Sequence, residues 1–252
     1  MSSLSLVVIT RNEERDLPRC LASVPCANEV VVVDSGSTDR TLELARDAGA
    51  KVISHPWSGY GPQKAFAVSQ AQSEWVLNLD ADEALSPELA SSLPQAIARD
   101  DVNGFKLRFQ SEMFGRTLRH GGLGHETHLR LYRRARAKMG QQQVHEGVEI
   151  DGIVETLPGH VLHRPYADLS EYLAKLDSYT TLAAAQRHAA GRKPWLLWPA
   201  RMPIGFLRRY VLQLGFLDGY AGFLWAALGG LHDLIREAKL RDLTLGARSP
   251  TT

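Results

Sequence analysis

The sequence predicts an α/β fold in which a mostly parallel sheet is flanked by helices and followed by a helical C-terminal extension. Three observations carry this. Short apolar runs rich in β-branched residues alternate with helical patterns up to residue 80, as in parallel strands joined by crossover helices. Each run stops at a polar residue: Thr10, Asp34 and Asp80. Beyond residue 169 the alternation disappears, and helical spacing persists to about residue 239.

Residues 4–10 form a buried strand, and the polar stretch 11–16 opens a helix reaching about residue 24. A second strand spans 29–33. Asp34-Ser35-Gly36-Ser37-Thr38-Asp39 follows, where Ser37 or Thr38 caps a helix over 40–48 that stops at Gly49. A third strand (51–54), a helix (63–72) and a fourth strand (75–79) complete the regular half. Further strands are expected at 104–109 and 127–132, with Gly121, Gly122 and Gly124 between them, then at 150–157 and 160–163. The helical tail breaks at 191–194, Pro199 and Pro203.

With 252 residues, 44% hydrophobic and 23% charged, the chain suits one large or two small globular domains rather than a disordered polymer. Its net charge of +1 hides an uneven distribution. Residues 99–140 hold ten Lys/Arg against four Asp/Glu, and residues 178–217 hold six Lys/Arg and no carboxylate. Such basic stretches suit phosphate, phospholipid or an acidic glycan. Nothing reads as a nucleic-acid module, so no nucleic-acid partner is expected. Cys20 and Cys26 lack the companions of a zinc site and read as ordinary thiols of a reducing compartment. No signal peptide precedes the strand starting at Leu4, which predicts a cytoplasmic catalytic part.

In parallel sheets, ligands bind beyond the carboxyl ends of the strands where the strand order reverses, so Thr10, Asp34 and Asp80 should share one crevice. Leu79-Asp80-Ala81-Asp82-Glu83 sets two carboxylates two residues apart just past a buried strand. They can share Mg²⁺ or Mn²⁺, ions that prefer oxygen ligands and keep water or phosphate in their remaining positions. The alternative is a solvated turn capping a helix near Pro87. Thr10, Asn12 and Glu13 supply hydrogen-bonding groups at the first strand end, and Gly36 permits close approach to a ligand.

Taken together, Val8-Ile9-Thr10-Arg11-Asn12-Glu13-Glu14, Val31-Val32-Val33-Asp34-Ser35-Gly36-Ser37-Thr38-Asp39 and Leu79-Asp80-Ala81-Asp82 resemble glycosyltransferase family 2. Trp57-Ser58-Gly59-Tyr60-Gly61-Pro62-Gln63-Lys64 is similar to its lipopolysaccharide core biosynthesis subgroup. The resemblance implies a Rossmann-like GT-A fold, a nucleotide-sugar donor and inversion at the anomeric carbon. It also implies donor-binding roles for Thr10, Asn12, Glu13, Asp34, Lys64, Asp80 and Ala81, with Asp80 and Asp82 at a Mg²⁺ or Mn²⁺ ion. Val144-His145-Glu146-Gly147 resembles the subgroup's Val-His-Glu segment and implies Glu146 as catalytic base, with His145 orienting it or serving as base itself. His125 and Arg130 are candidates for an acceptor or phosphate surface. UDP-glucose is the expected donor, and a lipid-linked saccharide such as the lipopolysaccharide inner core is the expected acceptor.

Two alternatives remain at this stage. A nucleotidyltransferase also joins a nucleotide-binding sheet to acidic metal ligands, but its glycine-rich loop is missing from Thr10-Arg11-Asn12-Glu13-Glu14-Arg15. A non-catalytic binding module would keep the fold and lose the chemistry. The domain reading is a catalytic domain over 1–168, with donor half 1–100 and acceptor half 101–168. A helical region at 169–245 and a flexible tail at 246–252 follow. Within the helical region, residues 210–231 form an apolar stretch interrupted by Asp218 and five glycines, with Trp195, Trp198, Arg201, Arg208 and Arg209 upstream. Helices resting in a membrane interface, packing against the domain or a second subunit, or a true span are all compatible with it. Peripheral attachment at the inner face of the cytoplasmic membrane is the expected location, and homo-oligomerisation is the alternative use.

Overall fold

The computed structural model describes residues 2–124, 126–139, 148–166 and 168–246. The chain divides into two compact units, Met1–Gln110 with His125–His163, and Ser111–Gly124 with Arg164–Thr252.

The first unit opens with β1 (Leu4–Thr10), α1 (Leu17–Ala22), β2 (Glu29–Asp34), α2 (Thr41–Asp47), β3 (Lys51–Ser54), α3 (Tyr60–Ser69) and β4 (Trp75–Asp80). It continues through β5 (Glu83–Leu85), α4 (Pro87–Ile97) and β6 (Gly104–Met113), whose last residues enter the second unit. After β7 (Arg116–Leu118), which belongs to the second unit, come β8 (Thr127–Arg133), β9 (Ala137–Met139), β10 (Val148–Ile150) and β11 (Val154–His163). The main sheet runs β3-β2-β1-β4-β8-β6-β11-β5. Its first four strands are parallel, whereas β8 pairs antiparallel with β4 and with β6.

All seven residues of β1 are buried, because the sheet is covered on both faces. Alternation sorts them: Leu4, Leu6 and Val8 join Leu17, Leu21, Leu89 and Leu93 of α1 and α4. Val7 and Ile9 join Ala67 and Val68 of α3 on the other face. Each such aliphatic side chain contributes about 1.5–3 kcal/mol by burial, so the parallel half is the stable platform on which the strand ends are mounted.

Several boundaries differ from the sequence reading. Asn12 adopts a left-handed φ of 56°, which keeps residues 11–16 in turns and delays α1 to Leu17. Asp39 Oδ1, rather than Ser37 or Thr38, accepts the Thr41 N–H at 3.0 Å where α2 begins. The helix expected at 63–72 starts earlier, at Tyr60. Glu83–Leu85 forms a buried strand where a solvated turn was the alternative. The two strands expected at 150–157 and 160–163 are largely one, β11, which runs on through Pro158 and Gly159. Gly159 has φ 82°, and a Cβ there would lie 2.6 Å from the Leu89 amide nitrogen, so only glycine lets β11 pass α4 this closely.

In the second unit, Ser111–Met113 pairs with β7 in an antiparallel hairpin. Helices α5 (Leu169–Ala189), α6 (Arg201–Leu207) and α7 (Gly219–Gly246) form the rest, with one π turn extending α6 over Arg208–Leu212. Met113 and Leu118 of the hairpin are buried with Ala221 of α7. A Cβ on Gly230 would fall 2.6 Å from the Met202 carbonyl oxygen, so α6 and α7 meet almost backbone to backbone. The glycines that interrupt the apolar stretch thus serve helix packing. Among the described residues no single helix is long and apolar enough to cross a membrane; Trp198–Leu212 with Gly215–Gly246, bent by 75°, passes that test only as a pair.

Asp233 of α7 fixes this packing electrostatically, 2.9 Å from Arg209 and 3.1 Å from Arg236. Burial opposes its ionisation, but hydrogen bonds from His232 and Arg209 hold the carboxyl well below the usual range. Asp233→Ala strands two partly buried guanidinium groups and is expected to cost about 3 kcal/mol, read as faster amide exchange in α7. A carboxylate with a depressed folded pKa contributes its full stability above the unfolded value of about 3.9 and loses it as pH falls further. The gap between wild type and variant should therefore close below about pH 4.

Candidate active site

The site grows from register. Thr10 pairs with Asp34, Ile9 with Asp80, and Asp34 with Ser54, so the polar strand ends stand side by side on one edge of the sheet. The chain builds outward from β1 through β2 to β3, then returns to place β4 on the other flank of β1. That reversal opens a crevice at the carboxyl ends of β1 and β4.

Hydrogen bonds stitch the loops bordering the crevice. Asn12 accepts the Thr38 N–H at 2.8 Å and donates its own N–H to Ser37 Oγ at 2.8 Å. Glu13 donates its N–H to Thr41 Oγ1 at 2.8 Å. The Asp34 carboxylate, buried, accepts the N–H groups of Gly36 (2.8 Å) and Ser37 (2.9 Å) and the Ser37 hydroxyl. It thereby organises the Asp34–Ser37 turn, with Gly36 at φ 92°. Thr10 Oγ1 is buried and has no hydrogen-bond partner among the described residues. An unsatisfied hydroxyl at a strand terminus is an open valence for a ligand. Gln63, fully buried, joins the loops after β2 and β3 by donating to Ser35 Oγ at 3.0 Å and to the His55 carbonyl at 3.2 Å.

Beyond β4 lies a buried charge cluster. Lys64 Nζ is 2.8 Å from Asp80 Oδ1, and Arg130 contacts Asp80 at 3.1 Å and Glu83 at 2.8 Å. Glu83 also accepts the Asp80 N–H at 2.9 Å. Burial alone would raise the Asp80 pKa, but Lys64 and Arg130 outweigh it and hold the carboxyl well below the usual range. Burial and the negative charge of Asp80 push Glu83 upward despite Arg130. The Ala81 side chain is packed in the core, so its position fixes the loop rather than presenting a functional group.

Asp82 has a different partner. Its Oδ2 lies 3.2 Å from His163 Nε2 at the end of β11, and both side chains are partly exposed. Burial would lower the His163 pKa, but the hydrogen bond to Asp82 raises it on balance. Arg19 NH2 donates to the Asp82 carbonyl at 2.7 Å and pins the loop from below. Asp82, with Asp80 the pair the sequence offers for Mn²⁺ or Mg²⁺, is an oxygen donor of the class those ions prefer, and His163 orients it by its hydrogen bond. Among the described residues no three metal-ligating side chains gather together, so the two aspartates would form an incomplete shell open to ligand oxygens.

The structure thus gathers Thr10, Asn12, Glu13, Asp34, Lys64, Asp80, Ala81, Asp82 and Arg130 around the carboxyl edge of the sheet. His145, Glu146 and His125 lie outside the described residues. Sequence reasoning missed Glu83, His163, Gln63 and Arg19. His163 carried a usable signal, since it too is a polar residue ending an apolar strand. Cys20 and Cys26 are free thiols.

A strand-order reversal, polar strand ends and an acidic loop are what an α/β sheet offers a ligand. Residues 5–150 match the model of glycosyl transferase family 2, and the chain belongs to that family. Lipopolysaccharide core biosynthesis glycosyltransferase LpsC of Rhizobium meliloti (strain 1021) is 34% identical over 249 residues, covering 94% of this chain and 91% of that protein. An uncharacterized glycosyltransferase of Rickettsia typhi (strain ATCC VR-144 / Wilmington) is 30% identical over 263 residues, covering 99% and 90%. Among solved structures, glucosyl-3-phosphoglycerate synthase from Mycobacterium tuberculosis in complex with Mn²⁺, UDP and phosphoglyceric acid aligns with a TM-score of 0.47 at 20% identity, covering 76% of this chain and 79% of that one.

Lys64→Met leaves Asp80 with Arg130 as its sole strong cationic partner and removes hydrogen bonds to a charged group. A loss of roughly 1.5–3 kcal/mol is expected in denaturant titration. An unchanged midpoint would mean that the ion pair contributes nothing net.

Proposed function

We propose that the chain is an inverting, metal-dependent hexosyltransferase that moves a sugar, glucose from UDP-glucose in the first instance, onto a lipid-linked saccharide such as the lipopolysaccharide inner core. The observation that supports this most directly is the Asp80–Glu83 loop, which sets a carboxylate neutralised by Lys64 (Asp80) beside one held by His163 (Asp82), both partly exposed. Kinship with LpsC over nearly the whole chain favours the acceptor class.

On this reading residues 1–100 bind the donor and 101–168 meet the acceptor. Thr10, Asn12, Glu13 and Asp34 frame the nucleoside end, Thr10 through its unpartnered hydroxyl. Lys64 and Arg130 hold Asp80 ionised and rigid next to the leaving diphosphate. Asp82, oriented by His163, and Asp80 would hold Mg²⁺ or Mn²⁺, which when bound supplies positive charge against the diphosphate as the glycosidic bond breaks. The acceptor hydroxyl oxygen attaches to the anomeric carbon from the face opposite the departing UDP. Glu146 takes the hydroxyl proton, oriented by His145, or His145 takes it directly. The enzyme works from the cytoplasmic side, peripheral to the membrane that carries its acceptor; its helical region at 169–245 mediates that attachment, or alternatively contact with a second copy.

Calorimetric titration of UDP-glucose with and without Mn²⁺, against UDP-GlcNAc, UDP-galactose, GDP-mannose and dTDP-rhamnose as competitors, tests the donor half. Metal-enhanced binding of one donor is expected, and Asp82→Ala should abolish the enhancement. Absence of binding to every donor would sink the proposal. Glu146→Gln is expected to lower kcat by about 10²–10⁴-fold with donor affinity intact; His145→Gln would show that loss instead if the histidine is the base.

A further inference from the structure

The second unit carries an apolar surface that the transfer chemistry does not use. Among the described residues, 22 large hydrophobic side chains are exposed, and 13 of them fall between Trp195 and Phe223. Leu196 is 89% exposed and Leu212 78%, values far beyond scattered surface leucines. They follow one another through the turn after α5, along α6 and around the bend before α7.

The cations of this region separate into two sets. Arg187, Arg209 and Arg236 are paired with Glu237 and Asp233. Arg192, Lys193, Arg201, Arg208 and Arg241 have no carboxylate partner among the described residues, and the first four lie among or next to the exposed apolar residues in sequence. Two lie against tryptophans: the Arg201 guanidinium is 4.7 Å from the Trp195 ring centre, and that of Arg241 is 5.9 Å from Trp198. A recess of about 270 Å³ is lined by Lys193, Trp195, Leu196, Arg241 and Leu245, combining two unpaired positive charges with apolar walls. Residues 178–217 contain no carboxylate.

We infer that this face of the second unit seats on an anionic phospholipid bilayer, with Trp195, Leu196, Leu197 and Leu212 in the acyl boundary and the Lys193–Arg241 recess around a lipid phosphate. The inference deepens the membrane part of the proposed function and rests on it. Charge selects the occupant. A second copy would bring a like-charged basic face against this one, whereas an acidic lipid surface complements both the cations and the exposed leucines. Tryptophans bearing arginine on their rings match the headgroup boundary, where an amphipathic ring has water on one side and hydrocarbon on the other. The charges of Asp233, Arg236, Glu237 and Lys239 along α7 favour helices lying in the interface over a span.

The test uses the full-length protein in vesicle co-sedimentation, with phosphatidylcholine alone and with added phosphatidylglycerol. Partition onto the anionic vesicles is expected to be roughly tenfold or more above neutral ones and to fall with salt. Lys193→Glu combined with Arg241→Glu should remove that preference. Leu196→Ser with Leu212→Ser should weaken binding to both vesicle types, without a change in melting temperature because both residues are exposed. Equal partition onto neutral and anionic vesicles, or wild-type binding by both variants, overturns the inference. So does a lipid-free dimer that the leucine substitutions dissociate, which would assign the face to a second copy. UDP-glucose titration of the same proteins separates the two readings: lipid binding without donor binding leaves this inference and removes the enzyme, and the converse does the opposite.

Discussion

The first unit is organised around one buried electrostatic knot, the Asp80 carboxylate held between Lys64 and Arg130. Lys64 comes from α3, Arg130 from β8 and Asp80 from the end of β4, so one anion ties three elements that approach from different sides. Glu83 adds a fourth by accepting the Asp80 N–H and sharing Arg130. These two cations outweigh the desolvation that would otherwise raise its pKa and keep the carboxylate ionised. The acidic loop of a family 2 glycosyltransferase is here a rigid part of the sheet, and Asp82 inherits its direction from that rigidity.

The arrangement also explains a division between neighbouring acids. Asp80, partly exposed, and Glu83, buried, have their charges balanced by lysine and arginine. Asp82 faces His163 and is partly open, leaving capacity for further ligands. Three acids within four residues are separated by backbone direction alone: a strand end, a turn and a short strand. Sequence spacing marks them as one acidic motif, yet each has its own partner: Lys64 and Arg130 for Asp80, Arg130 for Glu83 and His163 for Asp82.

Much of the fold was legible because β1, β2 and β4 are covered on both faces and therefore read as mostly apolar runs, broken only by Ser5 and Asn78, that stop on Thr10, Asp34 and Asp80. The same runs revealed the site, since polar residues at strand ends are what such a sheet offers a ligand. The second half was harder to read. β11 carries Pro158 and Gly159 in mid-strand, which ordinarily mark a break, and only the close passage over Leu89 accounts for the glycine. Glu83 was hidden because a three-residue strand leaves no periodicity to detect. His163 was hidden because its partner Asp82 is distant in sequence, and pairing across that distance follows from sheet order rather than from any local pattern.

The hairpin of Ser111–Leu118 has a consequence for how the protein can be made and cut. Its Met113 and Leu118 are buried with Ala221, a residue synthesised about a hundred positions later. On a ribosome the hairpin emerges well before the helix that covers it, and its apolar side must wait in water or in a chaperone. A chain trimmed after β11 would keep most of the sheet but leave that hairpin permanently uncovered, an adhesive edge on an otherwise folded body. The helical region is therefore no detachable tail, and fragments designed to isolate the catalytic sheet should either retain α7 or excise the hairpin with it.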